Sequence, residues 1–314
     1  MNKTKYTFLV PSYKASFLKE ALESIKKQTY TDFKVIVSDD CSPEQLRPIY
    51  NNVCGGDIRF VYRRNDENMG GKSLVSHWNY LVELCETEYL IMASDDDVYE
   101  PTFLEEIDKL VQKYPNVDIL RAKAVRLENG KEALIDGDIP EYQSQEEFLQ
   151  YFGVKKMVLC LADYVFKTNA LKAMSGFPDF PTAAFSDSAT AIYLSKNGIA
   201  TTNDILFTFR ISNENLSCAK NYSKNAEKGV WANLMFLDWY ERNFHQQYPY
   251  DDFAFGIEQY HLPRLPFFKM LKYYRKFRKR GYMKQIRPNL TILKNWFKLR
   301  LRYYVWNFWN DLAL

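Results

Sequence analysis

The chain has 314 residues, of which 46% are hydrophobic and 26% charged, with a net charge of +3. These proportions exclude a wholly disordered, collagenous or coiled-coil chain, and the length allows one large or two small domains with a sizeable core. The small net charge hides an asymmetry: residues 259–314 hold 14 Lys and Arg, 14 aromatics and one acid, Asp311, so about +13 sits there against about −10 elsewhere. A basic aromatic tail on an acidic body points to an anionic surface as partner. Cys41, Cys54, Cys85, Cys160 and Cys218 are scattered and odd in number, which argues against a disulfide framework and fits a reducing cytosol. The apolar run near the start is too short for a signal peptide, and no run approaches the roughly 18 apolar residues of a spanning helix.

The first hundred residues alternate between strand and helix patterns. Residues 6–10 (YTFLV) form a short β-rich run stopped by Pro11. Residues 17–28 carry Leu18, Leu22 and Ile25 at helical spacing, with Ser16 as candidate cap. A second strand pattern, 33–37 (FKVIV), ends in Ser38-Asp39-Asp40, and a helix is expected over 43–52. A third strand is expected over 58–62. A helix over 72–84 would turn Leu74, Trp78, Leu81 and Val82 inward. A fourth strand, 89–93 (YLIMA), runs straight into Ser94-Asp95-Asp96-Asp97. Continuous apolar strands alternating with helices imply a mostly parallel sheet covered on both faces. Ligands of such sheets bind beyond the carboxyl ends of the strands.

Downstream, the spacing predicts a helix over 102–114, strands over 117–127 and 131–135, and a helix over 145–152. A strand-like stretch follows over 157–166, then a short helix over 170–174 and a turn at Gly176-Phe177-Pro178. A helix over 188–196 is capped by Gly198. A strand over 206–211 and a helix over 223–244 complete the body, and the tail begins near Leu262.

Three strands end in polar clusters rather than in plain turn residues. Asp95, Asp96 and Asp97 repel one another, and a divalent cation removes that cost. Oxygen ligands without His or Cys suit Mg²⁺ or Mn²⁺ bridging to phosphates. The alternative is an acidic loop that caps a helix. Asp39 and Asp40 would either accept hydrogen bonds from a base or ribose, or form an Asx-turn. Gly70-Gly71 allows close backbone approach to a ligand, or is a plain turn. His77, beside Trp78 in a helix, reads as structural.

These segments resemble the opening of family 2 glycosyltransferases. The resemblance rests on Pro11-Ser12-Tyr13 after the first strand and on Asp39-Asp40-Cys41-Ser42 after the second. It also rests on Asn68-Met69-Gly70 with Trp78-Asn79, on the run from Tyr89 through Asp95–Asp97 to Pro101, and on Asp187, Gly198, Arg210 and Ser217 downstream. The match covers residues 6 to about 217 in register. Cys41 replaces a frequent Gly, Ser94 replaces a frequent first Asp, and Ser186 replaces the usual Glu. The resemblance implies an α/β GT-A fold, Rossmann-like, with helices on both faces of the sheet. It implies a nucleotide-sugar donor, usually a uridine diphosphate sugar, and a Mn²⁺ or Mg²⁺ cofactor. Pro11, Ser12, Tyr13, Asp39, Asn68, Gly70, Lys72 and Asp95 would hold the nucleotide. Asp96, with Asp97, would hold the metal. Asp187 would be the general base of an inverting displacement, with Asp163 or Asp179 as alternatives.

The organisation expected is a glycosyltransferase domain over 1–217, split into a nucleotide-binding half (1–100) and an acceptor half (101–217). A helical linker over 218–258 and the basic aromatic tail over 259–314 follow. In the tail, apolar residues from Phe267 to Phe277 and from Ile292 to Trp306 recur at helical spacing among Lys and Arg. This pattern fits an anionic membrane surface. The whole is then expected to be a bacterial cell-surface glycan enzyme (O-antigen or capsule) acting on a glycan or lipid-diphosphate-linked acceptor. It would be cytoplasmic and peripheral on the inner face of the cell membrane. The rival reading is a nucleic-acid binder using the tail. Three acidic strand ends would repel phosphate, so no nucleic-acid partner is expected. A nucleotidyltransferase is disfavoured because Pro11-Ser12-Tyr13 stands where a glycine-rich phosphate loop would be.

Overall fold

The structure, a computed structural model, describes residues 4–128, 130–153, 157–158, 160–212 and 226–244. Ser217, Cys218 and the basic tail lie outside the described residues.

Four parallel strands build the first half: β1 (Tyr6–Ser12), β2 (Phe33–Asp39), β3 (Phe60–Arg64) and β4 (Tyr89–Met92). They lie in the order β3-β2-β1-β4. β1 therefore has a neighbour on either side, and the chain's direction of travel across the sheet reverses there, which is where doubly wound sheets open a ligand crevice. The register places Ser12 opposite Asp39 and Leu9 opposite Met92, so the polar ends of three strands are level. Alternation along β1 feeds two cores. Phe8 and Val10 join Leu18, Leu22 and Ile25 of α1 (Leu18–Lys26) on one face, and Leu9 joins Val75, Leu81 and Val82 on the other. Full burial of such side chains contributes about 1.5–3 kcal/mol each.

Several local expectations are corrected. The first residue before α1 is Phe17, with no side-chain capping bond, so Ser16 is not the N-cap. α2 spans Leu46–Cys54. The helix expected over 72–84 is two pieces: a single turn, α3 (Met69–Lys72), and α4 (Leu74–Leu84), whose N-cap Ser73 accepts from the backbone N–H of Ser76. α4 buries Val75, His77, Leu81 and Val82, while Leu74 and Trp78 are only half-buried.

The second half widens the sheet. β5 (Val98–Tyr99) and α5 (Phe103–Lys113) lead into β6 (Ile119–Glu128), which pairs with β7 (Lys131–Ile135) as a hairpin. β8 (Tyr142–Gln143) and α6 (Gln145–Gly153) follow. The stretch expected as a strand over 157–166 is instead a 3-10 turn (Leu161–Asp163) before a short strand, β9 (Tyr164–Lys167). β9 runs antiparallel between β4 and β6 and joins the two halves of the sheet. After α7 (Thr168–Ala173) and α8 (Ser186–Leu194) comes β10 (Ile199–Ile211), parallel to β6 and twice as long as expected. α8 ends at Leu194, and Gly198 closes the 3-10 turn that follows (Ser195–Asn197) with φ +87° and ψ 177°, an extended positive-φ conformation that glycine adopts readily.

A final helix, α9 (Ala226–Phe244), buries Trp231, Ala232, Phe236, Tyr240 and Phe244 in the same core as α4 and α8. Within the stretch expected as a linker, residues 226–244 are thus part of the packed body. In the second half of the sheet, Arg121 is fully buried and donates to Asp136 at 2.6 Å and Asp163 at 2.7 Å.

Candidate active site

The carboxyl ends of β1, β2 and β4 converge. Asp95, on the loop after β4, accepts the backbone N–H groups of Tyr13 and Lys14 on one oxygen, at 2.8 and 2.9 Å. The β1 loop is also tied to β2, because Ser42 Oγ donates to the Tyr13 carbonyl at 2.6 Å. Pro11, Ser12, Tyr13, Asp39 and Asp95 are therefore neighbours at the carboxyl edge of the sheet. Tyr13 is among the exposed large apolar side chains and Ser12 is buried.

Asp39 is buried and its charge is fully partnered. It accepts from the Ser42 N–H at 2.8 Å, from the Tyr62 hydroxyl at 2.5 Å and from the Arg64 guanidinium. Its local bond reaches the N–H three residues on, so it holds the loop after β2 as a cap does and not as a two-residue Asx-turn. Asp40 has a separate task. One oxygen accepts from Asn65 Nδ2 and the Met69 N–H, both at 2.9 Å, and the other from the Gly70 N–H at 2.7 Å. A Cβ on Gly70 would sit 2.8 Å from that second oxygen, so glycine is required by close approach to Asp40. Asn68 caps the same turn by accepting from the Gly71 N–H. Lys72, expected at the nucleotide, pairs with Glu67 at 2.6 Å on the surface. His77 is structural: it shares a 2.9 Å hydrogen bond with Ser38 and lies 3.6 Å from Asp40. Cys41, where a glycine is frequent, adopts φ +54°, which supplies the physical reason for that preference.

The three acids after β4 divide their work. Asp97 is spent inside the protein: it accepts from the Arg210 N–H at 2.8 Å on one oxygen and from Ser94 Oγ at 2.5 Å on the other. Burial, reinforced by Asp96, pushes its carboxyl up to about 8. Asp95 is raised by burial too, with Lys14 opposing. Asp96 faces Lys14 Nζ at 3.1 Å, so a cation already stands at its carboxylate. Among the described residues no three His, Cys, Asp or Glu side chains form a metal cage. One or two carboxylate oxygens completed by diphosphate and water are nonetheless the donor set that Mg²⁺ and Mn²⁺ accept. Asp96 fits that set; Asp97, with both oxygens engaged, fits less well.

Asp187 lies in the first turn of α8. The residue before the helix is Phe185, at φ +69°, so Asp187 is inside the helix rather than at its cap. Its carboxylate accepts from the Ser188 N–H at 2.7 Å. Burial raises its pKa and the Ser188 bonds oppose. The loop before it is strained: Thr182, Ala183 and Phe185 all have left-handed φ, as residues near functional sites often do. The Cys160 thiol lies 3.9 Å from Asp97 and is pushed up by burial and then by Asp97, Asp163 and Asp187. Cys160, a residue that no spacing in the sequence singles out, thus lies within electrostatic reach of both Asp97 and Asp187. Asp163, the alternative base, is fully buried and held by Arg121, which removes it from consideration. Asp179 is exposed and accepts from Ser73 Oγ at 2.9 Å.

Comparison with known proteins agrees with this geometry. Residues 7–161 match the profile of Glycosyl transferase family 2. An uncharacterized glycosyltransferase of Rickettsia conorii, RC0461, is 31% identical over 119 residues, covering 37% of this chain and 19% of that protein. WcaA of Escherichia coli, named for colanic acid biosynthesis, is 33% identical over 86 residues, covering 27% of this chain and 29% of that protein. The chain thus spans well under two thirds of the length of these relatives. Among solved structures, Staphylococcus aureus TarS residues 1–349 superimpose with a TM-score of 0.63 at 16% identity, covering 82% of this chain and 72% of that one. The mannosyltransferase PcManGT of Pyrobaculum calidifontis, solved with GDP-Man and Mn²⁺, superimposes with a TM-score of 0.54 at 14% identity, covering 95% and 86%. The fold is of the GT-A type, and residues 7–161 carry a glycosyl transferase family 2 domain.

Proposed function

We propose that this protein transfers a sugar from a nucleoside diphosphate donor, a uridine diphosphate sugar in the first instance, to a glycan or lipid-linked acceptor. The reading is supported above all by the level carboxyl ends of β1, β2 and β4, which bring Ser12, Asp39 and the Asp95–Asp97 loop to one crevice at the reversal point of the sheet. TarS has been solved with UDP-GlcNAc and PcManGT with GDP-Man and Mn²⁺, so nucleotide sugars occupy proteins of this fold.

In this reading the nucleotide lies over Pro11, Ser12, Tyr13 and Asp39, beside the turn formed by Asn68, Gly70 and Lys72. Asp95 shapes the pocket by holding the Tyr13 and Lys14 amides. Asp96 holds Mn²⁺ or Mg²⁺, which when bound neutralises the diphosphate as it departs. Asp97 fixes the acidic loop to β10. The acceptor oxygen attacks the anomeric carbon, the bond to the diphosphate breaks, and Asp187 takes the acceptor's proton. Configuration inverts because one displacement occurs. A raised pKa suits Asp187 to this work, since a stronger base still ionised near neutrality drives the proton transfer better.

WcaA's name favours a surface polysaccharide as product, in line with the O-antigen or capsule role expected of the sequence. No helix of the described residues is long and apolar enough to cross a membrane. Attachment to the inner face of the membrane rests on the basic tail. A thermal-shift panel of nucleotide sugars, with Mn²⁺ and with chelator, tests the donor reading. Stabilisation by one nucleotide-sugar class that is lost in chelator and in Asp96→Ala is expected. Equal stabilisation in chelator would remove the metal.

A further inference from the structure

Lys14 was not singled out by its sequence, yet it holds a central place in the crevice. Its ammonium lies 3.1 Å from Asp96 Oδ2 and 3.6 Å from Asp95 Oδ1. Both carboxylates are nearly buried, and the Lys14 side chain keeps 26% of its surface exposed. Its backbone is fixed, because the Tyr13 and Lys14 N–H groups are held by Asp95 and the Ala15 N–H by Glu44 at 2.7 Å. Only the four-carbon stem can move. We propose that Lys14 is the resident counter-ion of the Asp95–Asp96 pair, and that it passes to the donor's diphosphate when a divalent cation takes Asp96.

The charges dictate the exchange. Two carboxylates and one ammonium leave a single negative charge in a poorly solvated loop. A divalent ion arriving alone would meet the ammonium at the same carboxylate, and like charges a few ångströms apart repel strongly at low dielectric. A diphosphate arriving with the metal removes that conflict by giving the ammonium an anionic partner within reach of its stem. Metal and diphosphate therefore bind cooperatively, each raising the affinity of the other by the same factor. This inference rests on the metal-dependent donor reading above.

The test is Mn²⁺ titration of the full chain, followed by the electron paramagnetic resonance signal of free Mn²⁺, with and without uridine diphosphate. In the wild-type protein, uridine diphosphate should tighten Mn²⁺ markedly. In Lys14→Met, Mn²⁺ alone should bind about tenfold more tightly, and uridine diphosphate at saturating Mn²⁺ about tenfold more weakly, the scale of one charge pair near a surface. Lys14→Arg keeps the charge and should restore the wild-type pattern, which separates charge from misfolding. An unchanged Mn²⁺ affinity in Lys14→Met, while the wild-type protein binds Mn²⁺ with uridine diphosphate, would overturn the counter-ion role alone. Tighter Mn²⁺ with unchanged uridine diphosphate affinity would overturn the transfer to diphosphate. If no form binds Mn²⁺ even with uridine diphosphate, the metal reading falls and this inference falls with it.

Discussion

The ring of Phe236 lies flat on the ring of Phe185, with centroids 4.9 Å apart and planes 12° from parallel. Phe185 is the left-handed residue that launches α8, and Asp187 follows two positions later. α9 thereby packs on a strained turn that is also tied by its own bonds, from the Ala183 N–H to the Phe180 carbonyl and from the Phe180 N–H to Ser186 Oγ. Phe236→Ala should cost about 3–5 kcal/mol of stability, as truncation of a buried aromatic does. It should also lower kcat more than it weakens donor binding. Urea unfolding and donor titration check both, and a donor affinity that falls as far as kcat would mean that α9 supports the whole crevice.

Asp39 should carry nucleotide affinity. In Asp39→Asn the affinity for uridine diphosphate should fall by about 1.5–3 kcal/mol, the value of a hydrogen bond to a charged group. Mn²⁺ affinity should be unchanged, since Asp39 is bonded to β3 and Ser42 and not to the acidic loop. Calorimetric titration reads both. An unaltered nucleotide affinity would reduce Asp39 to its bonds with Ser42, Tyr62 and Arg64.

His77 makes stability depend on pH. Burial lowers its pKa, with Asp40 opposing, so the folded protein prefers the neutral ring. A group whose folded pKa is depressed gives stability that is present above its unfolded value, about 6.5, and is lost as pH falls through the folded value. The urea midpoint should therefore drop on acidification below about 6.5, and drop less steeply in His77→Gln. Parallel pH profiles for the two proteins would contradict this.

The tail should decide membrane contact. Truncation after Glu258 keeps α9 whole and removes all of the 14 cationic and 14 aromatic residues counted from Gln259. The shortened chain should fail to sediment with anionic vesicles that carry down the full chain, and high salt should mimic the truncation. Equal partitioning would leave the tail to packing or to subunit contact.

The β-α alternation of the first half was legible because β1 and β4 are buried on both faces and β2 is interrupted by the exposed Lys34 alone, so all three read as near-continuous apolar runs. The site was legible for a related reason, since polar clusters at strand ends are a local pattern. What stayed hidden depends on distant pairing. β5 and β8 are two residues each, too short for any period. The first half of β10 has polar Thr201 to Asp204 against bulged pairing with β6, so only its apolar end reads as a strand. β9 follows a turn whose apolar composition matches a strand. The separate tasks of Asp95, Asp96 and Asp97 could not be told apart in a run of identical residues, because they are set largely by Lys14 and Arg210 arriving from elsewhere, beside the local bond from Ser94. Arg121, Asp136 and Asp163 carry no motif at all, and their union is purely tertiary.

In the proposed reaction Asp187 takes the acceptor's proton in a site where other residues hold the donor. The direct measurement is single-turnover sugar transfer by Asp187→Asn beside its affinity for the donor. Asn keeps the size and the hydrogen bond to Ser188 and removes the basicity. Loss of a general base should lower the rate by about 10²–10⁴-fold, with donor affinity nearly unchanged, because the proposed donor contacts are on the β1, β2 and β4 loops and not on α8. In the wild-type enzyme the rate should fall on acidification at a pH above the usual carboxylate range, following the raised pKa of Asp187. A substituted enzyme that keeps more than about a tenth of the rate, far above the loss expected for a missing base, would contradict the assignment and turn attention to the exposed Asp179.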